Sequence, residues 1–206
     1  MAIFIRHRIN SRVELGSVEP EMGVEIDLRS DVGNPGAMHL SHDPWRRGEP
    51  LEPWLDEFQA RRISGPLILN TKEDGLEEAL MATMARRGIE NFLFLDTAMP
   101  TLVYWTRKGL GRKFFLRLSA FENREALRPF EGKQEWLWVD CFDGQPLDSS
   151  LVREAGRAFK ICLVSPELQK QPVERVGDFR SIYSLAQAVC TKSPDVWRQL
   201  GAGQEA

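Results

Sequence analysis

The chain has 206 residues, a formal net charge of −3, and 42% hydrophobic and 28% charged residues. That length is enough for one large domain or two small ones with a sizeable core. The slight negative balance excludes a global footprint for nucleic acid or an anionic membrane, and the apolar run at residues 2–5 is too short for a signal peptide or a membrane span.

Residues 2–6 read as a short buried strand. Ser11 is placed to cap a short helix through Val13 and Leu15. Residues 23–28 form a second strand and residues 37–42 a third. They are joined by the turn-rich Asp31-Val32-Gly33-Asn34-Pro35-Gly36. A polar loop covers 45–53, a helix 51–63, and Gly65-Pro66 ends that helix before a strand at 67–70. Residues 73–87 make an amphipathic helix, with Leu76, Leu80 and Met84 at helical spacing and Gly88 as the stop. Strands then follow at 91–95, 113–118, 135–139 and 159–164. Between them lie helices at 99–108, 122–130 and 147–158. Residues 166–176 read as helical, broken at Pro172. A helix-to-strand passage covers 181–189, a short helix runs from Pro194 to Leu200, and the tail 201–206 reads as frayed.

Roughly eight strands alternating with helices imply βα units and a parallel sheet. The fold expected is α/β, a compact (β/α)8 TIM-type barrel. Some of its helices must be short or missing, because the fold usually takes about 250 residues. The competing open doubly wound sheet lacks its Gly-x-Gly-x-x-Gly turn. No repeat or linker interrupts the chain, so residues 1–200 are expected to form a single domain. Cys141, Cys162 and Cys190 each lie in an apolar run and belong to core packing. Their odd number, without a secretory signal, points to reduced thiols and a cytoplasmic location. Short helices leave apolar flanks that a homodimer would cover.

The stretch Gly23-Val24-Glu25-Ile26-Asp27-Leu28-Arg29 carries the chemistry. Strand alternation puts Glu25 and Asp27 on one face and Val24, Ile26 and Leu28 on the other. A half-buried edge strand with solvated charges gives the same pattern. Polar residues also close the other predicted strands: His7, Arg8, His42, Asn70, Lys72, Asp96, Arg117, Asp140 and Thr191. In a barrel these ends form the mouth. Oxygen ligands there suit one hard divalent cation, Mg2+ or Ca2+. The basic residues suit a phosphate, and two histidines suit proton transfer.

The order His7-Arg8, Glu25-x-Asp27 and His42-Asp43-Pro44 resembles the glycerophosphodiester phosphodiesterases, within the phosphatidylinositol phospholipase C-like superfamily. Leu67-Ile68-Leu69-Asn70-Thr71-Lys72 is similar to the family's third strand with its terminal lysine. Val189-Cys190-Thr191-Lys192-Ser193-Pro194 is similar to its closing Thr-Asp-x-Pro. The resemblance implies metal-dependent hydrolysis of a small phosphodiester through a cyclic phosphate. It implies His7 and His42 as acid and base, Arg8 and Lys72 on the phosphate, and Glu25, Asp27 and Asn70 on the metal. Asp96, Arg117 and Asp140 would line the pocket. Three positions depart from the pattern. Ile9 replaces the glycine of His-Arg-Gly, Asn70 a metal-binding glutamate, and Lys192 an aspartate.

Other readings of the same residues stand beside this one. Glu25 and Asp27 could form an inward salt-bridge network with Arg8 and Lys72. Asp96 and Asp140 could cap helices, and Trp136 and Trp138, on one strand face, suit the core. The histidines, His39 above all, could be structural. At the level of function, a barrel that kept its pocket but lost its chemistry would bind a phosphorylated ligand or a protein partner. A lyase or aldolase would use Lys72 as an electrophile or imine donor.

Overall fold

The structure, a computed structural model, describes residues 2–34 and 36–202. In chain order its elements are β1 (Ile3–Arg6), α1 (Arg12–Leu15), β2 (Gly23–Ser30), β3 (Met38–Leu40), β4 (Glu49–Pro50), α2 (Leu51–Ala60), β5 (Leu67–Thr71) and α3 (Glu77–Arg87). There follow β6 (Phe92–Leu95), α4 (Met99–Arg107), β7 (Phe115–Leu118), β8 (Trp136–Val139), α5 (Ser149–Ala155), β9 (Lys160–Val164), α6 (Arg180–Tyr183), β10 (Ala188–Thr191) and α7 (Pro194–Ala202). The chain divides into two compact units, Arg6–Phe114 and Met1–Ile5 with Phe115–Ala206.

In the unit Arg6–Phe114 the strand order is β4-β3-β2-β5-β6. The pairs β2–β5 and β5–β6 are parallel, whereas β2–β3 and β3–β4 are antiparallel. Parallel neighbours need a crossover, and α2 and α3 supply it. Helix α2 buries Leu51, Trp54, Leu55 and Phe58, with Trp54 stacked on Phe58 at 5.5 Å. Helix α3 buries Leu80 and Met84 and stops at Gly88, whose φ of 66° suits a residue without Cβ. Ser11 caps α1: its hydroxyl oxygen accepts the Glu14 N–H, and its own N–H donates back to the Glu14 carboxylate.

In the other unit the order is β1-β10-β9-β8-β7. The pairs β10–β9, β9–β8 and β8–β7 are parallel. Leu137, Val139, Ile161, Leu163 and Val189 are fully buried there. Phe115 packs against both Trp136 and Trp138.

The expectation of a (β/α)8 ring is met in its repeat, parallel strands alternating with helices. Taken by itself, each unit carries an open sheet. The predicted strand 37–42 is an antiparallel addition to β2, and His42 lies beyond its end. The stunted helices are real: 124–130, 166–169 and 173–179 are 3-10 turns, the last two separated around Pro172. Gly201 and Ala202 continue α7, and the rest of the predicted tail, 203–206, lies outside the described residues. Among the described residues no helix is long and apolar enough to cross a membrane. All three cysteines are buried thiols outside any disulfide. Burial pushes the Cys141 thiol up to about 12 and raises that of Cys162 as well.

Candidate active site

Strands β2 and β5 run side by side with Asp27 level with Asn70. Val24, Ile26 and Leu28 on one face of β2, and Glu25 and Asp27 on the other, are all 0% exposed. The reading of β2 as an edge strand with solvated charges is therefore wrong. Two adjacent buried carboxylates are costly unless each is given partners. The loop after β1 and the end of β5 provide them.

Arg8 adopts a left-handed φ of 54°. Its backbone N–H donates to Glu25 Oε2 at 2.8 Å. The next N–H, of Ile9, donates to the Glu25 carbonyl at 2.9 Å. Ile9 itself is buried, which is how this loop accommodates a branched side chain. Asn10 then grips Asp27 twice: its Nδ2 donates to Oδ2 at 2.7 Å, and its Oδ1 accepts the Asp27 N–H at 2.9 Å. Lys72 places Nζ 2.9 Å from Asp27 Oδ1 and 3.7 Å from Asp96 Oδ2. The Arg8 guanidinium lies 3.7 Å from Asp27 Oδ2. Asn70 Nδ2 donates to Glu25 Oε1 at 2.8 Å.

These partners do not fully offset burial. The Glu25 carboxyl is pushed up from 4.5 to about 7, first by desolvation and then by repulsion from Asp27. The hydrogen bonds from Asn70 and Arg8 and the charge of Lys72 pull the other way.

The two histidines occupy different surroundings. His7 Nε2 is 3.8 Å from Glu25 Oε2, with its side chain mostly buried. His42 is half exposed, and its Nδ1 meets Asp43 Oδ1 at 2.9 Å. That bond holds the Asp43 carboxyl below its ordinary range. The Ser41 N–H donates to the Asp27 carbonyl at 3.0 Å, and Arg29 Nη2 donates to the His42 carbonyl at 3.0 Å. His42 is thus tied to the strand that carries the carboxylates.

His7, Arg8, Glu25, Asp27, Asn70, Lys72 and Asp96 form one connected cluster. Asp96 contacts Lys72 and caps no helix: the N-cap of α4 is Ala98. Arg117 and Asp140 belong to the other unit, where they pair with each other and Gln169 Nε2 donates to Asp140 at 2.5 Å. There the Thr191 hydroxyl and the Lys192 N–H both donate to Glu167 Oε1, at 2.6 and 2.9 Å, which brings a carboxylate to that turn. Asn10 and Arg29 are the residues that sequence reasoning missed. Arg29 was within reach of it, because it continues the Glu25, Asp27 alternation. Nothing local marks Asn10.

A hard cation fits this donor set. Glu25 and Asp27 supply carboxylate oxygens, and Asn70 Oδ1 is a buried acceptor with no hydrogen-bond donor on it. Carbonyl and carboxylate oxygens together are what Mg2+ and Ca2+ take. Among the described residues no group of three His, Cys, Asp or Glu gathers for a metal. The third oxygen donor here is an amide.

No protein-family model matches the sequence, and no curated protein matches it significantly. Solved structures do match. A glycerophosphoryl diester phosphodiesterase from Parabacteroides distasonis superposes with a TM-score of 0.70 at 14% identity, over 99% of this chain and 87% of that one. A glycerophosphodiester phosphodiesterase from Thermotoga maritima gives 0.66 at 16% identity, over 97% of this chain and 98% of that one. An Oleispira antarctica phosphodiesterase, bound to its product sn-glycerol-3-phosphate, gives 0.63 at 15% identity, over 100% and 98%. In a divergent sequence, the chain has the α/β fold of the glycerophosphodiester phosphodiesterases.

Proposed function

We propose that this protein hydrolyses a small, glycerophosphodiester-like substrate with the help of one divalent cation, Mg2+ or Ca2+. The observation that carries the reading is the buried Glu25–Asp27 pair beside Asn70, whose Nδ2 donates to Glu25 and whose Oδ1 has no donor on it, with Lys72 and Arg8 against Asp27. A cation held by Glu25, Asp27 and Asn70 would neutralise a non-bridging phosphate oxygen. Arg8 and Lys72 would hold the remaining phosphate charge. A hydroxyl of the glycerol part attacks phosphorus, and the two proton transfers fall to His7 and His42. One takes the proton of the attacking hydroxyl. The other protonates the leaving alcohol, and water then opens the cyclic phosphate. The Asp43 contact at Nδ1 directs His42 to work through Nε2.

A second reading has a specific observation in its favour. Hydrogen-bond donors already meet both Glu25 oxygens and Asp27 Oδ2, and the Lys72 ammonium lies 2.9 Å from Asp27 Oδ1. A site so closed on itself suits a phosphorylated ligand bound without turnover. The lyase reading has less behind it, since Lys72 is engaged as an ion-pair donor.

Hydrolysis of bis-p-nitrophenyl phosphate after chelation, with Mg2+, Ca2+ or Mn2+ returned, separates the readings. Cation-dependent turnover lost in Glu25→Ala and in His42→Ala supports the hydrolase. Cation or phosphate binding without turnover, lost in Glu25→Ala, favours the ligand-binding protein.

A further inference from the structure

Asn10 carries no charge and has no place among the groups assigned above to the cation, the phosphate or the protons. Yet it is fastened to Asp27 at two points. Its Nδ2 donates to Asp27 Oδ2 at 2.7 Å, and its Oδ1 accepts the Asp27 N–H at 2.9 Å. A carboxamide accepts at one end and donates at the other across a short, planar fork. Aspartate lacks the donor, and serine offers one atom where the amide offers two.

The fork is itself held from both sides. Ile9, before it, is buried and gives its N–H to the Glu25 carbonyl at 2.9 Å. Ser11, after it, is the N-cap of α1. The other partners of Asp27 are of a different kind. Lys72 Nζ lies 2.9 Å from Oδ1, and the Arg8 guanidinium lies 3.7 Å from Oδ2. Both are positive, so a divalent cation at this carboxylate competes with them for its charge. Asn10 is neutral. It restrains the buried carboxylate without neutralising it, and it engages only one of the two oxygens.

We infer that Asn10 is a positioning residue: it fixes the orientation in which the Asp27 carboxylate meets a divalent cation, and so sets the affinity for that cation. The inference rests on the cation site proposed above.

The test measures binding of Mg2+ and of Ca2+ to chelated protein by isothermal titration calorimetry, for the parent, Asn10→Ala and Met84→Ala. Met84 is buried on α3 and takes no part in the site. Its truncation costs at least as much stability as loss of the Asn10 hydrogen bonds, which makes it the control. Asn10→Ala is expected to bind the cation about tenfold more weakly, the effect of removing a group that orients a metal ligand, and Met84→Ala to bind it as the parent does. Asn10→Ser, which replaces the fork by one hydroxyl, shows the same weakening and carries the test if Asn10→Ala does not fold. Parental affinity in the folded Asn10 variant overturns the proposal and leaves the cation site standing. Equal weakening in Met84→Ala also overturns it, because the loss then follows stability and not the orientation of Asp27. A parent that binds neither cation overturns the cation site, and the role of Asn10 with it.

Discussion

Asp27 is as heavily partnered as Glu25. Asn10, Lys72 and Arg8 converge on its carboxylate from two loops. Removing the Asn10 amide strips a buried oxygen of its donor, so Asn10→Ala is expected to cost about 1–3 kcal/mol in urea denaturation. Asn10→Asp, which sets a further carboxylate against Asp27, is expected to cost more. Glu25 gives a pH signature in chelated protein. Its carboxyl ordinarily titrates at 4.5 and here at about 7. Below the lower value it is protonated whether the chain is folded or not, so its burial costs nothing extra. Between the two values the folded chain keeps a proton that the unfolded chain has released, and stability falls as pH rises. Above the upper value the full cost, about 3 kcal/mol, is present. Denaturation curves from about pH 5 to about pH 8 are expected to show this fall, and Glu25→Gln to flatten it. Strand alternation alone was enough to pair Glu25 with Asp27 on one face. It could not find Asn10, because that contact depends on a loop folding back over a strand 17 residues away.

Among the elements, the β3–β4 hairpin matters most, because it places His42. Its closure depends on Gly48. A Cβ at that position would lie 1.6 Å from the Leu40 carbonyl oxygen. Gly48→Ala is therefore expected to pry the hairpin open, lowering turnover more than a surface substitution would. A fall in melting temperature should accompany the loss, and a variant at the exposed Val13 serves as the control. The hairpin also shows where sequence reading stopped. Residues 37–42 have strand character, but only the register with β2 makes them antiparallel. Likewise, the periodic pattern from residue 73 suggested a longer α3. The structure starts that helix at Glu77, because Glu73 is drawn to Ser30 and Gly75 turns at a φ of 94°. Long-range bonds here override local periodicity.

At the scale of the molecule, alternation of strand and helix was legible from length and pattern, and so was the shortening of several helices. The division into two compact units was not, because no change in composition marks it. Residues from His7 to Asp96 that carry the proposed chemistry fall within the one unit Arg6–Phe114. Cation binding there should stabilise the fold by mass action. At about a hundredfold excess over Kd the gain is about 2.7 kcal/mol. The melting temperature of chelated protein is expected to rise when Mg2+ or Ca2+ is returned, and to stay level in Asp27→Ala if that variant folds. The most direct test of the hydrolase itself is a phosphorus NMR time course on glycerophosphoethanol, run on chelated protein with and without returned cation. Expected is a glycerol phosphate signal, preceded by a transient cyclic phosphate, that needs the cation and is absent in Glu25→Ala. Hydrolysis that survives both chelation and Glu25→Ala would contradict the proposed site, and no hydrolysis with any cation would contradict the proposed activity.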